Sequence, residues 1–260
     1  MTRHVPCLVA VALALPVLST ADMAEVKKRG ILRVIALKSE PPEMFRFDSG
    51  GEPGFEREMI AGFAKMHGLT LEPVQSPTTE ARIPLLRRSK ADVIIGIVDT
   101  ESRRRQVAFT SEVLPAQHLV VTHEPHPVVT TVETFRKEKI GLVKGSSWAK
   151  AAFDAGAPRA TTRLFPDRTD VFEALEAGTV TATAMTTTDF LLAARLYPGL
   201  QGGVALGEAN RASWGVRKQD AELLAALDDY IANFRAGPSW SRLIVKYFGD
   251  QALRALGRDK

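Results

Sequence analysis

Short apolar runs alternate with amphipathic segments along most of the chain, a pattern that predicts β-strands separated by α-helices. In the first half we predict strands at 31–36, 70–74, 93–98, 106–109 and 116–122, and helices at 24–30, 54–67 and 78–89. In the second half we predict strands at 139–143, 159–165, 180–185 and 212–217, and helices at 132–138, 146–155, 168–177, 187–196, 220–234 and 239–248. Short strands alternating with helices indicate an α/β fold with parallel sheets covered on both faces.

The alternation is interrupted by the irregular connector 123–131 (HEPHPVVTT) and then starts again. A glycine-containing loop around Gly202, Gly203 and Gly207 is expected before the strand at 212–217. A chain of 260 residues suits one large domain or two modest ones. The restart of the pattern favours two α/β units.

The N-terminus has the layout of a secretory signal peptide. Arg3 and His4 precede the apolar run 5–18, and small residues follow as far as Ala21. The run is too short to span a bilayer, so we expect cleavage after Ala21 rather than a buried N-terminal helix. Cys7, the single cysteine, would leave with this segment, so the mature protein would have no disulfide and no cysteine chemistry. The expected product is a free periplasmic or secreted protein without a membrane span.

Charge and motifs exclude several classes of function. The formal charge of +4 is too small and too scattered to indicate a nucleic-acid partner. The sequence has no nucleophile elbow, P-loop, dinucleotide fingerprint or H-E-x-x-H motif. His118, His123 and His126 raise the alternative of a metal site, but two prolines prevent a helical histidine pair there. We therefore expect no cofactor, no metal and no catalysis.

The stretch 90–110 (KADVIIGIVDTESRRRQVAFT) contains the strongest candidate for a binding site. Turn and helix-start residues follow the predicted strand 93–98, and three arginines occupy positions 103–105. Ligands of open α/β sheets bind beyond the carboxyl ends of strands, where a guanidinium can hold a carboxylate by two parallel hydrogen bonds. We predict that one of these arginines lies in a cleft and that the other two lie on a solvated surface.

This stretch resembles the block D-(apolar)-G-x-T-x-T-x-x-R-x-x-x-V-x-F-(S/T) of the family 3 extracellular solute-binding proteins, the periplasmic receptors for polar amino acids. Two more stretches resemble that family, LRVIALKSEPPEMFRFDSGGEPGFEREMIAGFAKMHGL and SWGVRKQDAELLAALDDYIANFRAGPSWSRLIVKYFG, so the resemblance covers nearly all of the mature chain. It implies the type II periplasmic-binding-protein fold, in which two α/β lobes are joined by a two-crossing hinge. The division would be a signal peptide at 1–21, lobe 1 at 22–117 and 213–260, and lobe 2 at 118–212.

The resemblance also implies where a ligand binds. The family arginine that holds the ligand's α-carboxylate corresponds to Arg103. The family's KGST loop is similar to residues 144–147, KGSS, where a predicted strand ends and a helix begins. Helix N-termini favour anions, and the family's hydroxyl contact from the second lobe corresponds to Ser147, beside Ser146. An ordinary N-cap pair is the alternative interpretation of these serines.

Three positions depart from the family pattern. Val98 stands where the family has Ser or Thr, Glu40 where an aromatic often precedes the Pro-Pro pair, and Thr186 where an aspartate takes the α-ammonium. A neutral Thr cannot replace an ion pair in a desolvated cleft. Glu40, Glu43 or Asp99 could supply the missing negative charge, or the ligand lacks an α-ammonium. The predicted ligand-binding residues are Arg103, Ser147, Ser146, Val98, Thr186, Glu40, Gly96 and Asp99.

The function that the resemblance implies is a monomeric periplasmic receptor. It would bind a small carboxylate-bearing polar solute, an amino acid or a related organic acid, and deliver it to an ABC permease. One alternative is a periplasmic accessory protein without a transport role, since the fold also occurs in membrane-bound lytic transglycosylases and sensor kinases; we expect no appended effector domain here. Another alternative is a cyclohexadienyl dehydratase-like enzyme in which Glu40 or Asp99 acts as acid or base.

Overall fold

The computed structural model describes residues 22–250 and 252–256; for 254 and 255 only the backbone is described. The predicted signal peptide and Cys7 lie outside these residues. The first part of the chain forms α1 Met23–Arg29, β1 Ile31–Leu37, α2 Phe55–Met66, β2 Thr70–Ser76, α3 Arg82–Arg87, β3 Val93–Val98, α4 Glu101–Arg104, β4 Ala108–Phe109 and β5 Leu114–Pro115. The second part forms β6 His118–His123, α5 Val132–Phe135, β7 Ile140–Val143, α6 Ser147–Asp154, β8 Thr162–Phe165, α7 Arg168–Glu176, β9 Ala182–Thr186, α8 Thr187–Leu196 and β10 Leu200–Leu206. The last part forms β11 Arg211–Val216, α9 Ala221–Ala236, α10 Pro238–Phe248 and α11 Ala252–Leu256.

The strands form two sheets, one in each lobe. The first has the order β2-β1-β3-β11-β4, with β5 also paired to β11, and the second has the order β10-β6-β9-β7-β8. Strands β1, β2 and β3 are parallel, as are β7, β8 and β9, whereas β11 and β6 run antiparallel to their neighbours. The predicted parallel pairing is therefore found within β1–β3 and within β7–β9, whereas β6 and β11 are antiparallel because each enters its sheet directly from the other lobe without a crossover helix.

The chain passes between the lobes twice, through the connectors 116–117 and 207–210. Strand β11 begins at Arg211, and Ala212 already pairs with Leu114 in the first sheet. The second crossing therefore lies slightly before the predicted boundary at 212/213.

Strand β10 was not predicted, because its two glycines favoured a loop. Gly203 instead marks a close approach of two backbones, since a Cβ there would overlap the carbonyl oxygen of Val129. The backbone N–H of Val204 donates to the same oxygen at 2.9 Å, and the pairing with β6 shifts register between Gly202 and Ala205. The glycines therefore accommodate a bulge rather than end the strand.

The helix predicted at 78–89 is confined to α3. Residues 78–81 form a turn in which the Thr78 hydroxyl accepts from the N–H of Ala81 at 3.2 Å. Ser89 ends the segment with φ 56°, a left-handed conformation that a continuing helix cannot contain. Helix α11 was also not predicted.

Each lobe has its own hydrophobic core. The first lobe buries Trp214, Trp240 and Phe55 among α2, α9 and α10, and the second buries Phe135 and Val171 against its sheet. None of the described helices is both long enough and apolar enough to cross a bilayer.

Helix α8 contacts both lobes. It follows β9 of the second sheet directly, yet Leu192 is buried within the core cluster of the first lobe. The Thr188 hydroxyl also donates to the carbonyl oxygen of Pro115 in β5 at 3.0 Å. This helix therefore fixes the relative position of the lobes on one side of the cleft.

Candidate ligand-binding cleft

A cavity of about 90 Å³ lies between the two lobes. Seven of the eight predicted ligand-binding residues line it, namely Arg103, Ser147, Ser146, Val98, Thr186, Glu40 and Gly96.

Asp99 is the predicted residue that lies elsewhere. Side chains alternate along extended backbone, and Val98 takes the cavity side. The buried Asp99 carboxylate instead accepts from Arg104 Nε at 2.6 Å and from Arg211 Nε at 2.9 Å. It is neutralised there and supplies no negative charge to the cavity.

Arg103 is the arginine of α4 that lines the cavity. Its Nη1 donates to the carbonyl oxygen of Val98 at 2.8 Å, and it forms no ion pair within the described part of the chain. Burial, reinforced by the nearby Arg82 guanidinium, lowers the pKa of Arg103 to about 9, so it is still charged at neutral pH. Of its neighbours, Arg104 pairs with Asp99, and Arg105 donates to Glu101 at 2.9 Å on the surface. Arg103 therefore presents a cation to the cavity that has no contact ion pair among the described residues, although the Glu80 carboxylate acts on it from farther away.

The N-terminus of α6 lies on the opposite lobe. The Ser146 hydroxyl caps the helix by accepting from the N–H of Ala149 at 3.2 Å, and it donates to the carbonyl oxygen of Val143 at 2.6 Å. Its hydrogen bonds are therefore already used by the protein. Ser147, the first residue of the helix, is buried and lines the cavity. First-turn N–H groups have no intrahelical acceptor and attract anions.

The loop before α6 contacts the first lobe. Gly145 has φ 66°, and a Cβ on it would overlap the side chain of Glu80. The loop needs a residue that adopts the left-handed conformation and leaves room for Glu80 of the opposing lobe, and glycine does both.

A carboxylate that the sequence analysis missed lies one turn into α8. Asp189 accepts from the Thr186 hydroxyl at 2.7 Å, and the Asp189 N–H donates back to that hydroxyl at 3.1 Å. Trp148 Nε1 donates to the same carboxylate at 3.0 Å. The signal was present in the sequence, because Thr186 followed three residues later by an acidic residue is a helix-start pattern. The negative charge expected at 186 is therefore supplied three residues later.

Arg168 connects the lobes across the cavity. It donates to Asp189 at 3.0 Å within its own lobe and lies 3.5 Å from Glu40 of the first lobe. Burial raises the pKa of Glu40, and the Arg168 and Arg82 guanidiniums oppose that shift. Glu40 is thus an ion-pair partner across the cleft rather than a solvated loop residue.

Two further charged residues were also missed, Glu56 in α2 and Arg82 in α3. Both line the cavity and are 1% and 3% exposed. Neither carboxylate oxygen of Glu56 has a hydrogen-bond partner among the described residues, and the same holds for Arg82 Nε. Arg82 Nη1 donates to the carbonyl oxygens of Ile95 at 3.4 Å and Gly96 at 3.1 Å. They were missed because each stands within a helix, away from any motif.

Burial raises the pKa of Glu56 to about 8, and the nearby Glu40 carboxylate adds to the shift while Arg82 opposes it. The folded protein therefore holds a proton on Glu56 at neutral pH. A carboxyl whose pKa is raised by folding contributes stability at low pH that is lost as the pH rises through the folded value.

Glu56→Gln should therefore stabilise the protein increasingly as the pH rises. Its advantage in the free energy of unfolding should grow by about 1.4 kcal/mol per pH unit between the ordinary and the raised pKa, and then level off. Urea denaturation at pH 5, 7 and 9 measures this, with Glu133→Gln on an exposed helix as the control. An advantage that is the same at all three pH values would contradict the buried, protonated state.

His123 and His126 make polar contacts within the protein, whereas neither ring nitrogen of His118 has a hydrogen-bond partner among the described residues. Burial lowers the pKa of His118 to about 4, so it is neutral at ordinary pH. His123 ring nitrogens lie 2.6 Å from the Glu124 carbonyl oxygen and 3.0 Å from that of Pro198, and His126 lies 3.1 Å from Glu138. The described residues contain no group of three or more His, Cys, Asp and Glu side chains arranged to hold a metal.

Two lobes of this topology, enclosing a polar cavity with an unpaired arginine, define a solute-binding protein. Residues 32–250 match the model of the bacterial extracellular solute-binding proteins, family 3, and the chain belongs to that family.

Known proteins similar to this chain include a curated relative and two solved structures. The membrane-bound lytic murein transglycosylase F of Stutzerimonas stutzeri (strain A1501) is 26% identical over 240 residues, which cover 88% of this chain and 48% of that protein. The chain thus spans about half the length of the curated relatives it matches. The solute receptor for L-cysteine of Neisseria gonorrhoeae has a TM-score of 0.79 at 23% identity, over 91% of this chain and 99% of that one. The P235GK mutant of ArgBP from T. maritima has a TM-score of 0.76 at 24% identity, over 87% of this chain and 99% of that one. These structures have the type II periplasmic-binding fold that the sequence predicted.

Proposed function

We propose that this protein is a periplasmic receptor that binds a small carboxylate-bearing polar solute between its lobes and delivers it to an ABC permease. It acts as an exported monomer whose signal peptide is cleaved, and it performs no catalysis. Membership of the solute-binding family supports the small-molecule ligand.

The observation that carries this proposal is the pairing of Arg103 with the N-terminus of α6 across one cavity. Arg103 has no carboxylate in ion-pair contact within the described part of the chain, and Ser147 begins a helix on the opposite lobe. A carboxylate between them would receive charge-assisted hydrogen bonds from both lobes. Because the full set of contacts exists only when the lobes are closed, the ligand favours the closed state.

A matched panel of acids and amides tests the carboxylate requirement. Thermal shift across amino acids and organic acids should identify ligands, since a ligand at a hundredfold excess over Kd stabilises by about 2.7 kcal/mol. A derivative of each ligand in which every carboxylate is converted to a primary amide should produce no shift, because it carries no negative charge for Arg103. Tight binding of the amide would contradict the proposal.

The absence of catalysis has its own test. Incubation with prephenate or arogenate, followed by chromatography of the products, should show no conversion beyond a buffer control. Glu56 is the cleft carboxyl that holds a proton at neutral pH, so the Glu56→Gln variant is the control for any conversion seen. Conversion that this variant lacks would support a dehydratase-like enzyme instead.

A second candidate function is a binding module that works with a cell-wall enzyme rather than a permease. The observation that favours it is the similarity to lytic murein transglycosylases over about half of their length. Uptake of a radiolabelled ligand in a deletion strain distinguishes the two. Loss of uptake supports the receptor, and unchanged uptake supports the module.

A further inference from the structure

Two arginines line the cavity without a described carboxylate in ion-pair contact. Arg168 differs from them, since it pairs with both Asp189 and Glu40. Arg103 and Arg82 form no ion pair within the described residues, and their hydrogen bonds go to backbone carbonyl oxygens. The cavity therefore holds two cations without a contact ion pair among the described residues; the Glu40 and Asp189 carboxylates act on Arg82, and that of Glu80 on Arg103, from beyond ion-pair distance.

These two cations are costly in their present surroundings. Arg82 is 3% exposed, and Arg103 lies close enough for each guanidinium to disfavour the charge of the other. Glu56 lies beside Arg82, but its pKa of about 8 leaves it uncharged at neutral pH, so it does not offset the positive charge. Buried charges are normally paired, which makes an unpaired set inside a cavity a place where a ligand supplies the missing charge.

We propose that the ligand carries two anionic groups, one bound by Arg103 and the N-terminus of α6 and the other by Arg82. This rests on the proposed function and narrows its ligand class to small dicarboxylates, with or without an amino group. Arg82 is then a specificity-determining residue at the floor of the cleft.

The geometry near Arg82 is suited to that role. Its Nη1 donates to the carbonyl oxygens of Ile95 and Gly96 in the middle of β3, whereas its Nε has no partner among the described residues. The protonated Glu56 adjoins it and can donate a hydrogen bond to a carboxylate.

Isothermal titration calorimetry at pH 7 tests this with two matched pairs, glutarate against its monoamide and L-glutamate against L-glutamine. In at least one pair the diacid should bind about tenfold or more tightly than the monoamide, because the second carboxylate gains charge-assisted hydrogen bonds. Arg82→Met should reduce that preference to near unity while the monoamide binds about as before. Arg103→Gln should weaken the binding of both the diacid and its monoamide.

A purely structural Arg82 would give a different result, in which Arg82→Met weakens both members by the same factor; that would overturn the proposal. Arg82→Lys keeps a cation and should retain part of the preference for the diacid. The comparison of diacid with monoamide on the wild-type protein tests the proposal even if a variant fails to fold. If monocarboxylates bind through Arg103 as tightly as diacids, the dicarboxylate inference fails and the receptor function stands. If no carboxylate binds in either these pairs or the wider panel, both fail.

Discussion

Arg103→Gln should weaken the binding of a carboxylate ligand by roughly 13- to 160-fold, since a hydrogen bond to a charged group contributes about 1.5–3 kcal/mol. The change removes the cation and keeps a polar side chain of moderate length. The loss should be large because Arg103 has no protein carboxylate to exchange for the ligand. Calorimetry with the tightest ligand from the panel measures it.

Arg105→Gln is the matched control for that variant. Arg105 lies two residues away, is largely exposed and pairs with Glu101 on the surface. Its substitution should leave the Kd unchanged, and the two variants should have similar melting temperatures without ligand. If Arg103→Gln bound the ligand as tightly as the wild type, the carboxylate would have to bind elsewhere in the cleft.

Asp92→Ala should lower the free energy of unfolding by about 3–5 kcal/mol, because it removes the buried counter-charge of the half-buried Arg29 and Arg33 and the hydrogen bonds they make to it, while the buried Arg217 keeps Asp220 at 2.8 Å. The Asp92 carboxylate is fully buried and lies 2.6 Å from Arg29, 2.9 Å from Arg33 and 3.6 Å from Arg217. It also accepts from the backbone N–H of Arg33 at 2.9 Å. These contacts connect α1, β1 and the segment after β11 at the start of β3.

Glu101→Ala removes an ion pair that is exposed rather than buried, and it serves as the control. Both side chains of the Glu101–Arg105 pair are mostly exposed, and exposed pairs contribute at most about 1 kcal/mol. Urea denaturation should therefore separate the two variants clearly. A loss below 1 kcal/mol for Asp92→Ala would mean that the arginines around it are solvated in solution.

The fold could be predicted largely from the sequence, because the local pattern and the family motifs agree. Most strands and helices lie within a few residues of their predicted positions, and helix 187–196 has the predicted bounds. Strand β10 was missed because Gly202 and Gly203 look like loop residues until the backbone of Val129 is placed beside them. The direction of β6 and β11 depends on how the chain passes between lobes, which no local pattern encodes.

The site could be predicted in part. Arg103 follows from its position after a buried strand and from a motif with fixed spacing, and it does line the cavity with Ser147. Asp99 failed to join them because its pairing with Arg211 depends on a strand more than a hundred residues away. Arg82 and Glu56 were missed because within a helix the sequence alone does not distinguish a buried charge from a solvated one.

Helix α8 limits how far the cleft can open. The connectors 116–117 and 207–210 are short enough to act as pivots, yet the ten residues of α8 form a stiff rod whose Leu192 is seated in the opposite lobe. Small rotations leave this side chain in place. A large rotation would either move α8 together with the first lobe or expose Leu192 to water. Exposing Leu192 would cost about 1.5–3 kcal/mol.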